Sequence, residues 1–165
     1  MKQCLIYLLI MNISVWVAGR LFPRKWIREN DFPFCTLPCE KDGKIYEKLS
    51  IKKWKNKWPD ASRIFHKVFG KAIEKIYPKK SLNGNKKSKI STLIKESCIA
   101  EATHKAVSFL GWACLFIDTS WKVALLSFMH SVINLPSIVI QRYNRPRLKR
   151  ALKALDKPCV ETCTI

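Results

Sequence analysis

One grouping of residues in this chain has the makings of a transfer site: a histidine, two carboxylates, an asparagine and a run of arginines. Glu101 and His104 are spaced so that on a helix their side chains can touch. An imidazole oriented by a carboxylate is suited to act as general base on a hydroxyl, so His104 is the candidate base and Glu101 its orienter. Asn134 or Asn144 would donate to a developing oxyanion. Arg142, Arg145 and Arg147 have the planar fork that grips phosphate oxygens, and Glu96 and Gln141 complete the polar set. A plainer alternative stays open, in which Glu101 and His104 form a polar pair at a helix end and the arginines only anchor the chain. The motifs of soluble enzymes are missing: there is no Gly-rich phosphate loop, no Gly-x-Ser-x-Gly elbow, no His-Glu-x-x-His and no His-x-x-x-x-Asp box.

For these residues to meet, the segments that carry them must fold back on each other. Asp118, Thr119 and Ser120 form a short polar turn between two apolar stretches, residues 106–117 and 121–140. Residues equally distant from such a turn lie at equal depth on the two arms. His104 and Asn134 are equidistant from Thr119 and fall level, roughly 22 Å from the turn by helical rise. Glu101 and Ser137 follow, then Glu96 and Arg142. The count gathers the polar set at the open end of an antiparallel hairpin, where ionisable groups normally face a protein interior or a polar cavity.

The arms read as membrane spans. Residues 121–140 approach the length of about 20 apolar residues that a crossing needs, whereas 106–117 must borrow the turns that contain Glu101, His104 and Lys105. A third uncharged run, residues 3–19 extended by Leu21 and Phe22, nearly crosses a hydrocarbon layer about 30 Å thick. A cleaved leader is the rival reading of that run. Trp16 is bulky where cleavage wants a small residue, and the stretch that follows is dominated by Lys and Arg, which the positive-inside rule keeps in the cytoplasm. The expected topology is therefore three spans, N-terminus out, with Arg142, Arg145, Arg147, Lys149, Arg150 and Lys153 inside a bacterial cell membrane.

The fold class expected is all-α: a small helical integral membrane protein with about three spans and amphipathic interfacial helices. It divides into an anchor (1–22), a basic interfacial segment (23–89), the hairpin (90–141) and a basic tail (142–165). Within the second part, residues 61–77 have an amphipathic helical period, with Arg63, Lys67, Lys71 and Lys75 opposite the apolar face. Residues 79–89 read as a basic loop. Pro146 reads as the first residue of a further helix.

The formal net charge of +19 over 165 residues requires an anionic partner. Long uncharged runs favour anionic membrane lipid over nucleic acid, for which no recognition motif is present. Of the seven cysteines, Cys4, Cys98 and Cys114 lie in or beside apolar runs as packing residues. Cys35 with Cys39, and Cys159 with Cys163, are spaced Cys-x-x-x-Cys; four thiolates can hold zinc, but the spacing is a poor match to zinc-binding motifs and no metal is expected.

The run Gln141-Arg142-Tyr143-Asn144-Arg145-Pro146-Arg147-Leu148, preceded by Asn134 and Pro136, resembles the C-terminal signature of the glycosyl-4,4'-diaponeurosporenoate acyltransferase family. Ala100-Glu101 with His104, Gly43-Lys44 and Lys53-Trp54-Lys55 extend the likeness over about residues 40–153. The resemblance implies a membrane acyltransferase. It would esterify the sugar of a glycosylated C30 carotenoid acid with a fatty acyl group, the last step of staphyloxanthin-type pigment formation. Its partners would be that carotenoid lipid acceptor and an acyl donor such as acyl-CoA, used as substrate with no bound cofactor. Two other readings remain at this point: a non-catalytic polybasic protein organising anionic lipid or a partner enzyme, and a related membrane enzyme with another prenyl or lipid acceptor.

Overall fold

The computed structural model describes residues 1–35, 40, 44–55 and 86–155. Among these residues all regular structure is helical, in keeping with the all-α expectation. Three long helices dominate: α1 (Lys2–Leu21), α4 (Lys86–Leu110) and α5 (Trp121–Leu155). Two short ones, α2 (Lys44–Lys48) and α3 (Ile51–Trp54), lie between them in sequence. The amphipathic period at 61–77 and the cysteines Cys39, Cys159 and Cys163 fall outside the described residues.

The hairpin forms as the turn residues dictate. Helix α4 runs into a tighter 3-10 stretch, Gly111–Phe116, and the chain reverses at Asp118. There the Asp118 Oδ1 accepts from the Ser120 backbone N–H at 2.9 Å, a local bond that competes with helix continuation. Four contacts between the arms fix the register. Ser127 Oγ donates to Gly111 O at 3.1 Å, Ser131 Oγ to Ser108 O at 3.0 Å and Ser97 Oγ to Gln141 O at 3.2 Å. His104 Nδ1 meets Asn134 Oδ1 at 2.9 Å. All four couple residues at near-equal distances from Thr119, as the depth count requires. Small hydroxyl residues at these crossings let the backbones approach closely.

Helix α1 packs along the hairpin as a third rod, antiparallel to α4. Tyr7 Oη donates to Leu110 O at 3.0 Å, and Arg24, just beyond the other end of α1, pairs with Glu96 at 2.8 Å. Between them Cys4, Leu8, Met11, Val107, Cys114 and Val123 make a buried apolar cluster. Cys4, Cys98 and Cys114 are completely buried, as expected of packing residues. Asn12 Nδ2 reaches His130 Nε2 at 3.1 Å, joining α1 to α5 by a polar contact within the apolar region. Gly111 makes room for the His130 ring: a Cβ there would lie 2.6 Å from its Nδ1.

Two expectations need correction. Of the basic loop expected at 79–89, Lys86 to Lys89 belong instead to α4, since lysine and serine sustain a helix, and 79–85 lie outside the described residues. Nor does a separate helix start at Pro146. Helix α5 runs unbroken through Pro136 and Pro146 to Leu155, so residues 142–155 of the basic string continue the helix of the second arm. Packing of the helix on both sides of each proline outweighs the lost backbone bond, as it does in many apolar bundles.

Two of the described helices, α1 and α5, are long and apolar enough to cross a membrane. Helix α4, which carries Lys95, Glu96, Glu101 and Lys105, does not join them. Leu5, Ile6, Leu9, Ile10 and Ile13 on α1 are exposed, as are Leu125, Phe128, Met129, Ile133 and Leu135 on α5. An outward apolar belt of this kind points to membrane association.

Candidate active site

Between the two arms of the hairpin, two groups of polar side chains lie one above the other. The first is the His104–Asn134 pair. Asn134 Nδ2 donates to His130 O one turn earlier at 2.8 Å, which turns its carbonyl Oδ1 toward His104. Since that oxygen can only accept, His104 Nδ1 is the donor in this contact, which points Nε2 away from Asn134. The contact that orients the His104 ring is with Asn134, not with Glu101. Asn134 is thus engaged with the imidazole through its carbonyl and with the His130 carbonyl through its amide nitrogen.

The second group is ionic. Glu101 is fully buried, and its carboxylate accepts from Arg142 Nε at 2.8 Å, from Arg145 Nη2 and from Lys105 Nζ. The expected Glu101–His104 contact gives way because the guanidinium groups on α5 offer a buried carboxylate full charge compensation, which a neutral imidazole on the same helix does not. Arg142 also donates to Glu40 Oε1 at 2.6 Å and to Pro33 O at 3.1 Å. Arg145, 2% exposed, donates to Phe34 O at 2.9 Å and stacks over the Phe34 ring. Both arginines are thus turned into the protein. Glu96, expected beside Arg142, pairs instead with Arg24.

Other candidates from the sequence lie around this core. Gln141 contributes its backbone carbonyl to Ser97, and Asn144 is half-buried. Arg147 remains the more accessible arginine; it stacks on the Tyr143 ring at 4.3 Å and approaches Glu47 at 3.6 Å. Lys55 approaches the same ring, its Nζ 5.0 Å from the centroid. Tyr143 itself is buried with Tyr46 and Ile51, which docks the short helices α2 and α3 on α5. Among the described residues no group of three or more His, Cys, Asp or Glu side chains is placed to hold a metal ion.

Sequence reasoning missed Glu40, Tyr46 and Lys149. Glu40 and the Tyr46 hydroxyl are hydrogen-bonded to each other in the interior. Burial and then the facing Glu40 carboxylate push the Tyr46 phenol well above its usual range, so Tyr46 stays a donor at any physiological pH. Lys149 Nζ donates to Glu29 O at 3.0 Å and to Asn30 Oδ1 at 2.8 Å. The one available signal was that Glu40 is an acidic residue in a stretch rich in lysine.

A family model described as glycosyl-4,4'-diaponeurosporenoate acyltransferase matches residues 23–154. Proteins named glycosyl-4,4'-diaponeurosporenoate acyltransferase from Staphylococcus aureus strains N315 and bovine RF122 / ET3-1 are 30% identical to this chain over 156 residues. The match covers 93% of this chain and 88% of each relative. No solved structure matches.

Proposed function

The chain belongs to the glycosyl-4,4'-diaponeurosporenoate acyltransferase family and is an acyltransferase, and from that premise we propose that it esterifies a sugar hydroxyl of a glycosylated C30 carotenoid acid with a fatty acyl group. The observation that carries the reading is the His104–Asn134 pair between the two arms of the hairpin. With Nδ1–H committed to Asn134, His104 Nε2 takes the proton from the sugar hydroxyl as its oxygen attacks the acyl carbonyl. Collapse of the tetrahedral adduct expels the donor's thiolate, which takes the proton back from Nε2. The acyl donor is a thioester such as acyl-CoA, used as substrate. Its phosphate groups meet Arg147, with Gln141 and Asn144 alongside.

The bilayer supplies the geometry for this reaction. Acceptor and acyl chain are both amphiphiles, so their greasy parts lie against the apolar belt of α1 and α5 while the reacting groups meet at the membrane surface. We place α1, the α4 arm and α5 across a bacterial cell membrane, N-terminus out, with the basic end of α5 against the anionic inner leaflet; the positive-inside rule supports that orientation.

The test is reconstitution. Membranes containing the chain are given the glycosylated carotenoid acid and acyl-CoA, and ester is measured by mass spectrometry. The intact chain should form it, and His104→Ala should lower the rate by about 100- to 10,000-fold, the range for loss of a general base. Full activity in His104→Ala would remove this mechanism, and an intact chain that makes no ester would remove the assigned reaction.

A further inference from the structure

The basic face of α5 grips a stretch of backbone far away in sequence. Arg142, Arg145 and Lys149 recur at helical spacing on one side of α5. Between them they donate to Pro33 O, Phe34 O, Glu29 O and Asn30 Oδ1, all in the segment that follows α1. Glu40, beyond that segment, is 6% exposed and bound to Arg142 and Tyr46. Arg142 is the common member, with Glu40 on one side of its guanidinium and Glu101 on the other.

We infer that Glu40, Arg142, Glu101 and Arg145 form a clamp that holds residues 27–35 as a cap against the hairpin at the level of Glu101, and that Glu40 and Arg142 are positioning residues for acyl transfer. The argument is one of charge and placement. For Arg142 to hold a phosphate, two carboxylates would have to surrender it, and its side chain is only 14% exposed. Meanwhile Glu101 is one helical turn from His104 on α4, and Arg142 is two turns from Asn134 on α5. The Glu101–Arg142 bond therefore locks together the arms that carry the base and its orienter, and a misplacement of about 1 Å at such a pair is enough to cost about 100-fold in rate. Glu40 sets Arg142 in turn, and Tyr46 sets Glu40.

This inference rests on the proposed acyl transfer for its kinetic half only, so the experiment has two readouts. The first uses purified protein in micelles and follows tryptic cleavage at Arg28, whose side chain is 85% exposed within the cap. Glu40→Gln and Arg142→Gln should each speed that cut about tenfold, because local opening governs proteolysis. Unchanged cleavage in both variants overturns the clamp. The second readout is kcat and the donor KM. Each variant should lower kcat about tenfold or more with donor KM within about twofold of wild type, and the double variant should be no worse than either single one. A tenfold rise in donor KM in Arg142→Gln alone, with Glu40→Gln unaffected, would make Arg142 a donor contact and overturn the positioning role. Tyr46→Phe removes one hydroxyl and no charge; a fall in kcat of a few fold at constant KM supports the clamp even where Arg142→Gln fails to accumulate, and wild-type kcat there counts against it. If wild-type protein makes no ester while cleavage still responds to Glu40→Gln, the clamp stands and the assigned reaction falls.

Discussion

Replacing Glu101 by glutamine separates a structural role from a chemical one. Its carboxylate is fully buried, and two of its three cationic partners, Arg142 and Arg145, have side chains 14% and 3% exposed. Removing one member of a buried ion pair strands the other charge, at a cost of roughly 3–5 kcal/mol. Glutamine keeps the shape and one carbonyl acceptor, which places this variant at the lower end, about 3 kcal/mol. The third partner, Lys105, is 40% exposed and free to move, so its pair adds no more than about 1 kcal/mol. For a chain of this size each kcal/mol moves the melting temperature by about 2–4 °C, which gives a fall of roughly 6–12 °C for Glu101→Gln. Lys105→Gln should fall by less than about 4 °C. The assay is loss of helical circular dichroism on heating purified protein in micelles. A Glu101→Gln protein that melts with wild type, or no lower than Lys105→Gln, refutes the reasoning; if it also loses turnover, Glu101 is acting on His104 after all.

Two further outcomes follow from the helix crossings. Gly111→Ala should lower stability by about 1–3 kcal/mol, the usual range for overpacking, since the new methyl would lie 2.6 Å from His130 Nδ1, whose ring is also held by Asn12; resistance to SDS unfolding measures it. Asn12→Leu keeps the branch at Cγ but removes the contact between α1 and α5, with an expected loss on the order of 0.6–1.7 kcal/mol in the same titration.

The fold was legible where local rules act alone. The Asp118–Ser120 turn and the constant rise of a helix are enough to bring His104 level with Asn134, and the structure joins them at 2.9 Å. Pairing within the polar set was not legible, because one-turn neighbours on a helix compete with partners from other helices. Glu101 goes to the arginines, since a buried carboxylate is best compensated by full positive charge, and His104 is left to an amide. Glu40 lies 102 residues from Arg142, and no periodicity or spacing rule reaches across such a gap. Pro146 shows the opposite failure: a sound local rule for starting a helix is overridden by contacts that keep α5 whole. The identity of the family was legible in the string 141–148, although its arginines point into the protein more than that string suggests.

The two prolines inside α5 also make it unequal along its length. Pro136 and Pro146 have no N–H to offer the carbonyls of Val132 and Arg142, so the helical ladder lacks a rung at each place. A rod weakened at two points bends there first. One weak point is beside Asn134 and the other beside the Arg142 clamp, so a bend at either place would shift the imidazole's seat relative to the cap.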